Sequence, residues 1–401
     1  MTKQTDVSNP RLYRDDSWAP HFARLRREDP VHRHADSPYG PYWSVTRFAD
    51  IMKVELDPGT YSSASELGGI QIADQAKGSE LPNFIRMDPP RHTAQRRTVA
   101  PIVAPSNLAN MEGTIRERTQ AVLDGLPRNQ VFDWVDLVST ELTAMMLATL
   151  FDFPWADRRK LTHWSDVAIA NVEDADAVVK SEADRMAELM QMADIMGALW
   201  KERAAQPPKF DLISMMAHGE ATQNMPLREF IGTFGLLIVG GNDTTRNSMT
   251  GGLIAMVGNP AEIDKVRADA ALLPSLVSET IRYQTPVIHM RRNATRDCEL
   301  AGKAIARGDK VVLWYVSGNR DESAIDEPER FIVGRPRARH HLAFGAGIHR
   351  SVGDRLAEMQ IRILWEEILK RDLAIELAGP PERLYSNFIR GIRALPVLIR
   401  A

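Results

Sequence analysis

Apolar residues recur at three- and four-residue steps over 135–151, 175–204, 227–257, 274–283 and 352–370. That spacing lays one side of a helix against a core, so each run predicts an amphipathic helix. Strand signals are fewer and shorter. Val311-Val-Leu-Trp-Tyr-Val316, rich in β-formers behind the turn Arg307-Gly-Asp, predicts a strand over 311–316, and Leu395-Pro-Val-Leu-Ile399 predicts another over 395–399. The balance is mainly α with a minor β-sheet region. No repeat, low-complexity tract or Gly/Ser linker divides the chain, so the expected organisation is a single domain over 1–401.

With 401 residues, 44% of them hydrophobic and 26% charged, the chain can bury a large core. A net charge of -3 gives no global reason to expect a nucleic-acid partner. The longest strongly apolar stretch, 230–241, is too short to span a bilayer and is interrupted by glycines, so no membrane span is expected. Met1-Thr-Lys-Gln-Thr-Asp lacks the apolar core of a signal peptide, and a cytoplasmic location is expected. Cys298 is the only cysteine, which excludes an intramolecular disulfide and a Cys-rich metal site.

Four segments carry candidate chemistry. In Phe344-Gly-Ala-Gly-Ile-His349-Arg-Ser351-Val-Gly353, Gly345 and Gly347 allow a tight turn and Gly353 opens the last helical run. Ser351 therefore sits just before a helix, where backbone N–H groups favour an anionic oxygen or where a serine simply caps the helix. In Leu236-Leu-Ile-Val239-Gly240-Gly241-Asn-Asp243-Thr244-Thr, two glycines and a polar cluster break a strongly apolar helix, at about 1 kcal/mol per glycine. A Thr244 hydroxyl bonded to the Gly240 carbonyl would loosen the helix ladder and open a groove. Met87-Asp-Pro-Pro-Arg-His92-Thr-Ala-Gln-Arg96 starts a helix with His92 and Arg96 four apart on one face. Glu279 and Arg282 lie three apart, suited to a charge pair, and Glu327-Pro-Glu-Arg330-Phe331 follows downstream.

Together, in this order and spacing, these segments resemble the cytochrome P-450 superfamily, and the resemblance runs from the Asp-Pro-Pro helix to Leu395-Pro-Val397. It implies the P-450 fold and haem b (iron protoporphyrin IX). His92, Arg96, Arg292 and His349 would meet the haem propionates, and Phe344, Gly345 and Gly353 would shape the ligand loop. Gly241, Asp243 and Thr244 would serve oxygen activation and proton relay, while Glu279, Arg282 and Arg330 would form a structural Glu-Arg-Arg triad. The stretches 236–252, Trp314-Tyr-Val-Ser-Gly-Asn-Arg-Asp-Glu322 and Arg355-Leu-Ala-Glu-Met-Gln360 resemble the bacterial medium-chain alkane/fatty-acid terminal hydroxylases. That branch takes electrons from a ferredoxin and a ferredoxin reductase. By position, Ile70, Leu236, Val239, Gly240, Val287, Ile288, Phe388 and Ile389 would line an apolar substrate pocket, and a monomer is expected. Ala346 and Arg86 depart from that branch's pattern, where Phe and a small residue are more familiar.

One position departs decisively: Ser351 stands where the family carries its cysteine ligand. Cysteine thiolate pushes electron density to the iron and favours O–O cleavage, which serine oxygen does far less well. Neither Cys298, in a predicted strand region, nor His340, His341 or His349 is placed to replace it. The expectation is a serine-ligated haem protein, engineered by a Cys-to-Ser exchange to transfer carbenes or nitrenes. The alternatives are an alkane 1-monooxygenase carrying a ligand mutation and a non-catalytic haem-binding protein.

Overall fold

The computed structural model describes residues 6–76 and 78–400. Helices dominate, and the apolar runs appear as helices at Glu141–Phe151, Glu182–Ala204, Leu227–Gly258, Leu273–Gln284 and Asp354–Lys370. The 32-residue helix Leu227–Gly258 passes through the middle of the molecule and packs against Arg158–Ile169, Glu141–Phe151 and Leu273–Gln284. Its apolar positions join the buried aromatic and aliphatic cores on both sides, from Phe151 and Phe234 to Leu253 and Trp365.

A five-stranded sheet runs in the order Val31–His34, Tyr42–Val45, Lys310–Trp314, His289–Ala294, Tyr61–Ser62; only the pairing of Tyr42–Val45 with Lys310–Trp314 is parallel. A three-stranded sheet joins Val131–Asp133, Pro396–Ile399 and Ile375–Leu377. No helix among the described residues is long and apolar enough to cross a membrane.

Two boundaries differ from the sequence expectation. The run expected over 175–204 becomes helical only at Glu182, where Ser181 caps it by accepting the Asp184 N–H at 3.1 Å. Upstream, Asn171 and Asp174 side chains take the amides of Glu173 and Asp176, local bonds that compete with a helix. The strand expected over 311–316 ends at Trp314, opposite His289, and Tyr315–Gly318 coils into a helical turn. Beyond Trp314 the chain must tuck beneath the helix Phe48–Glu55. A side chain on Gly318 would come within 2.9 Å of Ile51 and 2.5 Å of Leu342.

The Glu-Arg-Arg triad is corrected at its third member. Glu279 and Arg282 form a fully buried bidentate pair, at 2.7 and 2.8 Å. The Arg330 side chain instead lies on the surface, 65% exposed, paired with Glu327; only its backbone carbonyl meets Arg282. Arg335 takes the expected place, with its Nε 3.1 Å and 3.2 Å from the two Glu279 oxygens. Burial raises the Glu279 carboxyl, but the bonds from Arg282 and the Ile332 amide and the nearby Arg335 charge outweigh it and hold the pKa below the usual range.

Candidate active site

A cavity of about 970 Å³ lies between the central helix Leu227–Gly258 and the glycine-rich loop 344–353. The loop owes its path to two glycines in the left-handed region, Gly345 (φ 67°) and Gly347 (φ 61°). At Gly347 a Cβ would sit 2.3 Å from the Glu55 carbonyl oxygen. A Gly347→Ala variant is therefore expected to lose at least about 1–2 kcal/mol of stability and to bind less cofactor, measured by chemical denaturation and by haem-to-protein ratio.

Ser351 lines the cavity. Its amide donates to the Phe344 carbonyl at 2.8 Å, while its Oγ accepts only the Gly353 N–H, at 3.3 Å. The following helix starts at Asp354 with Gly353 as its cap residue, so Ser351 is not the helix cap and its oxygen stays available. Across the cavity, Thr244 Oγ1 donates to the Gly240 carbonyl at 3.0 Å, the bond anticipated from the sequence. The two neighbouring glycines differ in role. A Cβ on Gly241 would meet Leu147 at 2.7 Å, whereas one on Gly240 would meet nothing within 4 Å. Gly241 thus permits close helix packing, and Gly240 leaves open space facing the cavity.

Most of the remaining anticipated residues share this wall. His92, Arg96, Arg292, Phe344, Gly345, His349 and Gly353 line the cavity, as do Ile70, Leu236, Val239, Val287, Phe388 and Ile389. Ile288 does not. It is fully buried in the cluster with Tyr42 and Trp314, just before the strand His289–Ala294, because successive residues of an extended segment face opposite ways. Asp243 does not line the cavity either. Its buried carboxylate accepts from Ser165 Oγ at 2.5 Å and from Arg246 at 2.6 Å, and Arg246 reaches on to the partly exposed Asp166 at 2.7 Å.

Burial pushes the Asp243 carboxyl up from 3.8 to about 6, opposed by Arg246 and reinforced by Asp166. Because the folded group keeps its proton to higher pH than the unfolded one, its contribution to stability is greatest below pH 3.8 and is lost as pH rises through 6. In infrared titration the Asp243 carboxyl band should disappear with a midpoint near pH 6. Arg246→Met should move the midpoint up, and Asp166→Asn should move it down.

At one end of the cavity His92 and His349 stand edge to face, with ring centroids 4.5 Å apart. His349 Nε2 is 2.9 Å from Ser63 Oγ, and its Nδ1 has no partner. Neither ring nitrogen of His92 makes a well-formed hydrogen bond, the Ile348 backbone offering only a poorly aligned one. Burial, then the neighbouring Arg292, His92 and Arg96, lower His349 to a pKa of about 2; burial and Arg96 lower His92 as well. Arg96 has no carboxylate within ion-pair distance among the described residues. Unpaired buried donors beside two arginines make a cradle for carboxylates.

Sequence reasoning missed Glu55 and Tyr315. Arg292 donates to Glu55 Oε2 at 2.7 Å, and Tyr315 donates to Oε1 of the same carboxylate. Nothing in the local pattern of Glu55, at the end of a short amphipathic helix, signals this contact. Arg246, three residues beyond Asp243, was legible as a pair by its spacing.

A sequence profile for cytochrome P450 matches residues 70–372. The chain belongs to the cytochrome P450 family. Linalool 8-monooxygenase of Pseudomonas putida is 37% identical over 99% of each chain, and a methyl-branched lipid omega-hydroxylase of Mycobacterium tuberculosis is 32% identical over 94% of this chain and 90% of that one. Among solved structures, cytochrome P450-153 from Novosphingobium aromaticivorans superposes with a TM-score of 0.92 at 48% identity, covering 98% and 99% of the two chains. CYP153D17 from Sphingomonas sp. gives 0.93 at 49% identity over the whole of both.

Cytochromes P450 are haem enzymes, oxidoreductases that bind haem b, act on small organic substrates and typically draw electrons from ferredoxin and reductase partners. The residues present fit that cofactor. Haem carries two carboxylates, and the orphaned nitrogens of His92 and His349, with Arg96 and Arg292, form the matching donor set. Among the described residues lining the cavity there is no cysteine; Cys298 lies elsewhere, 3.5 Å from the Tyr61 hydroxyl.

Proposed function

We propose that this P450 uses the Ser351 oxygen as its proximal iron ligand and transfers carbenes or nitrenes, from diazo compounds or organic azides, to organic substrates. The scaffold is of the alkane/fatty-acid terminal hydroxylase kind. The observation that carries the reading is Ser351 itself, with its oxygen free at the cavity wall in a loop that otherwise keeps the ligand-loop pattern. Intact surroundings favour an exchange introduced at one position over the wider drift expected of a decayed homologue.

When bound, the haem would supply the metal-centred group-transfer chemistry. The chain's own residues then have separate tasks. His92, Arg96, Arg292 and His349 hold the cofactor's carboxylates at one end of the cavity. Ile70, Leu236, Val239, Val287, Phe388 and Ile389 hold the apolar substrate and exclude water, and the open space beside Gly240 gives it room.

Serine oxygen is a harder donor and a far weaker acid than a thiol of pKa about 8.5. It supplies less of the electron push that oxygen cleavage needs. Native hydroxylation therefore falls, and the proton delivery that the family resemblance assigns to Asp243 and Thr244 has little left to serve. The test is product analysis of the haem-loaded protein in two reactions. A diazo ester with dithionite should give carbene-transfer products, while octane with ferredoxin, its reductase and oxygen should give little octanol. Octanol at the rates of a cysteine-ligated enzyme would defeat the proposal and favour a working monooxygenase.

A further inference from the structure

Among the described residues, no carboxylate pairs with Arg86. This arginine ends the short turn Phe84–Arg86 and lines the same cavity, where its Nη2 donates to the side-chain oxygen of Gln71 at 3.1 Å. That amide is neutral. Burial lowers the guanidinium pKa to about 10, with no opposing carboxylate nearby to raise it. The other wall presents no Cβ at the closest approach: the neighbour is Gly69, at which a Cβ would stand 3.5 Å from Arg86 Nη1. A desolvated guanidinium with a single neutral partner carries a cost that an incoming anion would remove.

Apart from Arg96, the other cations around the cavity are paired with carboxylates. Arg291 and Lys310 share Asp74, at 2.5 and 3.1 Å. Arg185 is 3.1 Å from Glu182 and donates to two backbone carbonyls. Arg96 and Arg292 stand with the two histidines and suffice for the two carboxylates of haem. Arg86 is left over, facing an otherwise largely apolar chamber.

We infer that Arg86 is an anion-binding subsite of the substrate chamber, which takes the carboxylate head of a substrate whose apolar tail packs along the cavity wall. Planar guanidinium and carboxylate match as a two-point pair, with Gln71 holding one arm of the fork in place. The inference rests on reading this cavity as the substrate chamber and is independent of which atom binds the iron.

Isothermal titration calorimetry on the haem-loaded protein, with decanoate and decanol as paired probes at low salt and pH 7.5, tests it. Decanoate should bind about tenfold or more tightly than decanol. Arg86→Gln should abolish that preference while decanol affinity stays within about twofold, and Arg86→Lys should keep part of it. Equal affinity for the two probes in the unaltered protein would overturn the subsite alone, as would a preference surviving in Arg86→Gln. Loss of haem from Arg86→Gln would also overturn it, because Arg86 would then serve a cofactor carboxylate. If neither probe binds, the chamber reading fails and the subsite with it.

Discussion

Replacing Ser351 with cysteine is expected to give the reduced, carbon monoxide-treated protein a thiolate-type Soret band, and the unaltered protein is expected to lack one. Octane hydroxylation with redox partners should rise by about 10²–10³, the scale of restoring one group that stabilises charge in a transition state. The exchange is local. The residue's amide already holds the loop through the Phe344 carbonyl, and the residue lines the cavity. The Gly353 N–H, 3.3 Å from the present oxygen, would favour the thiolate form. Carbene transfer from a diazo ester should fall relative to hydroxylation in the same variant. A thiolate-type band in the unaltered protein would contradict serine ligation, and failure of Ser351→Cys to recover octanol formation would contradict the account of what the ligand does.

The second large effect concerns the buried charge behind the loop. Arg335→Ala should lower stability by about 3 kcal/mol, whereas Arg330→Ala should change it by no more than about 0.5 kcal/mol, both read from urea unfolding of the haem-loaded protein. The contrast follows from geometry. Glu279 is fully buried, and Arg335 supplies part of its countercharge while also tying down the carbonyls of Asp326, Glu327 and Arg330. Removing it leaves a buried carboxylate short of donors and the Asp326 carbonyl without its arginine, while the Glu327 and Arg330 carbonyls keep other donors. Arg330 makes only an exposed pair with Glu327, of the kind worth little in water. Equal losses in the two variants would restore Arg330 to the triad.

Both sites show how far the chain can be read without its fold. Long helices were legible because burial on one side imposes a 3.6-residue period, and 227–257 and 352–370 came out within two residues of the observed ends. The expected strand 311–316 failed at its end because Tyr315 and Val316 are good β-formers, yet the partner strand stops at His289. Arg330 misled for a related reason. An arginine at the right distance along the chain is indistinguishable from one five residues on until the turn that aims each side chain is known.

At the level of the sequence, Ser351, the two histidines and Thr244 came together as one site only through the resemblance of their segments to the cytochrome P-450 pattern; local turn chemistry and helix spacing give each segment its shape but not its meeting with the others. Tertiary structure alone decided the pairings between distant segments: Glu55 with Arg292, Asp243 with Ser165, Ile288 facing away from its neighbour Val287, and Arg86 turned into the cavity with only Gln71 beside it. The reason is physical. A sequence period says which side of an element is buried, but the partner of a buried charge depends on which other element arrives there, and no local pattern records that.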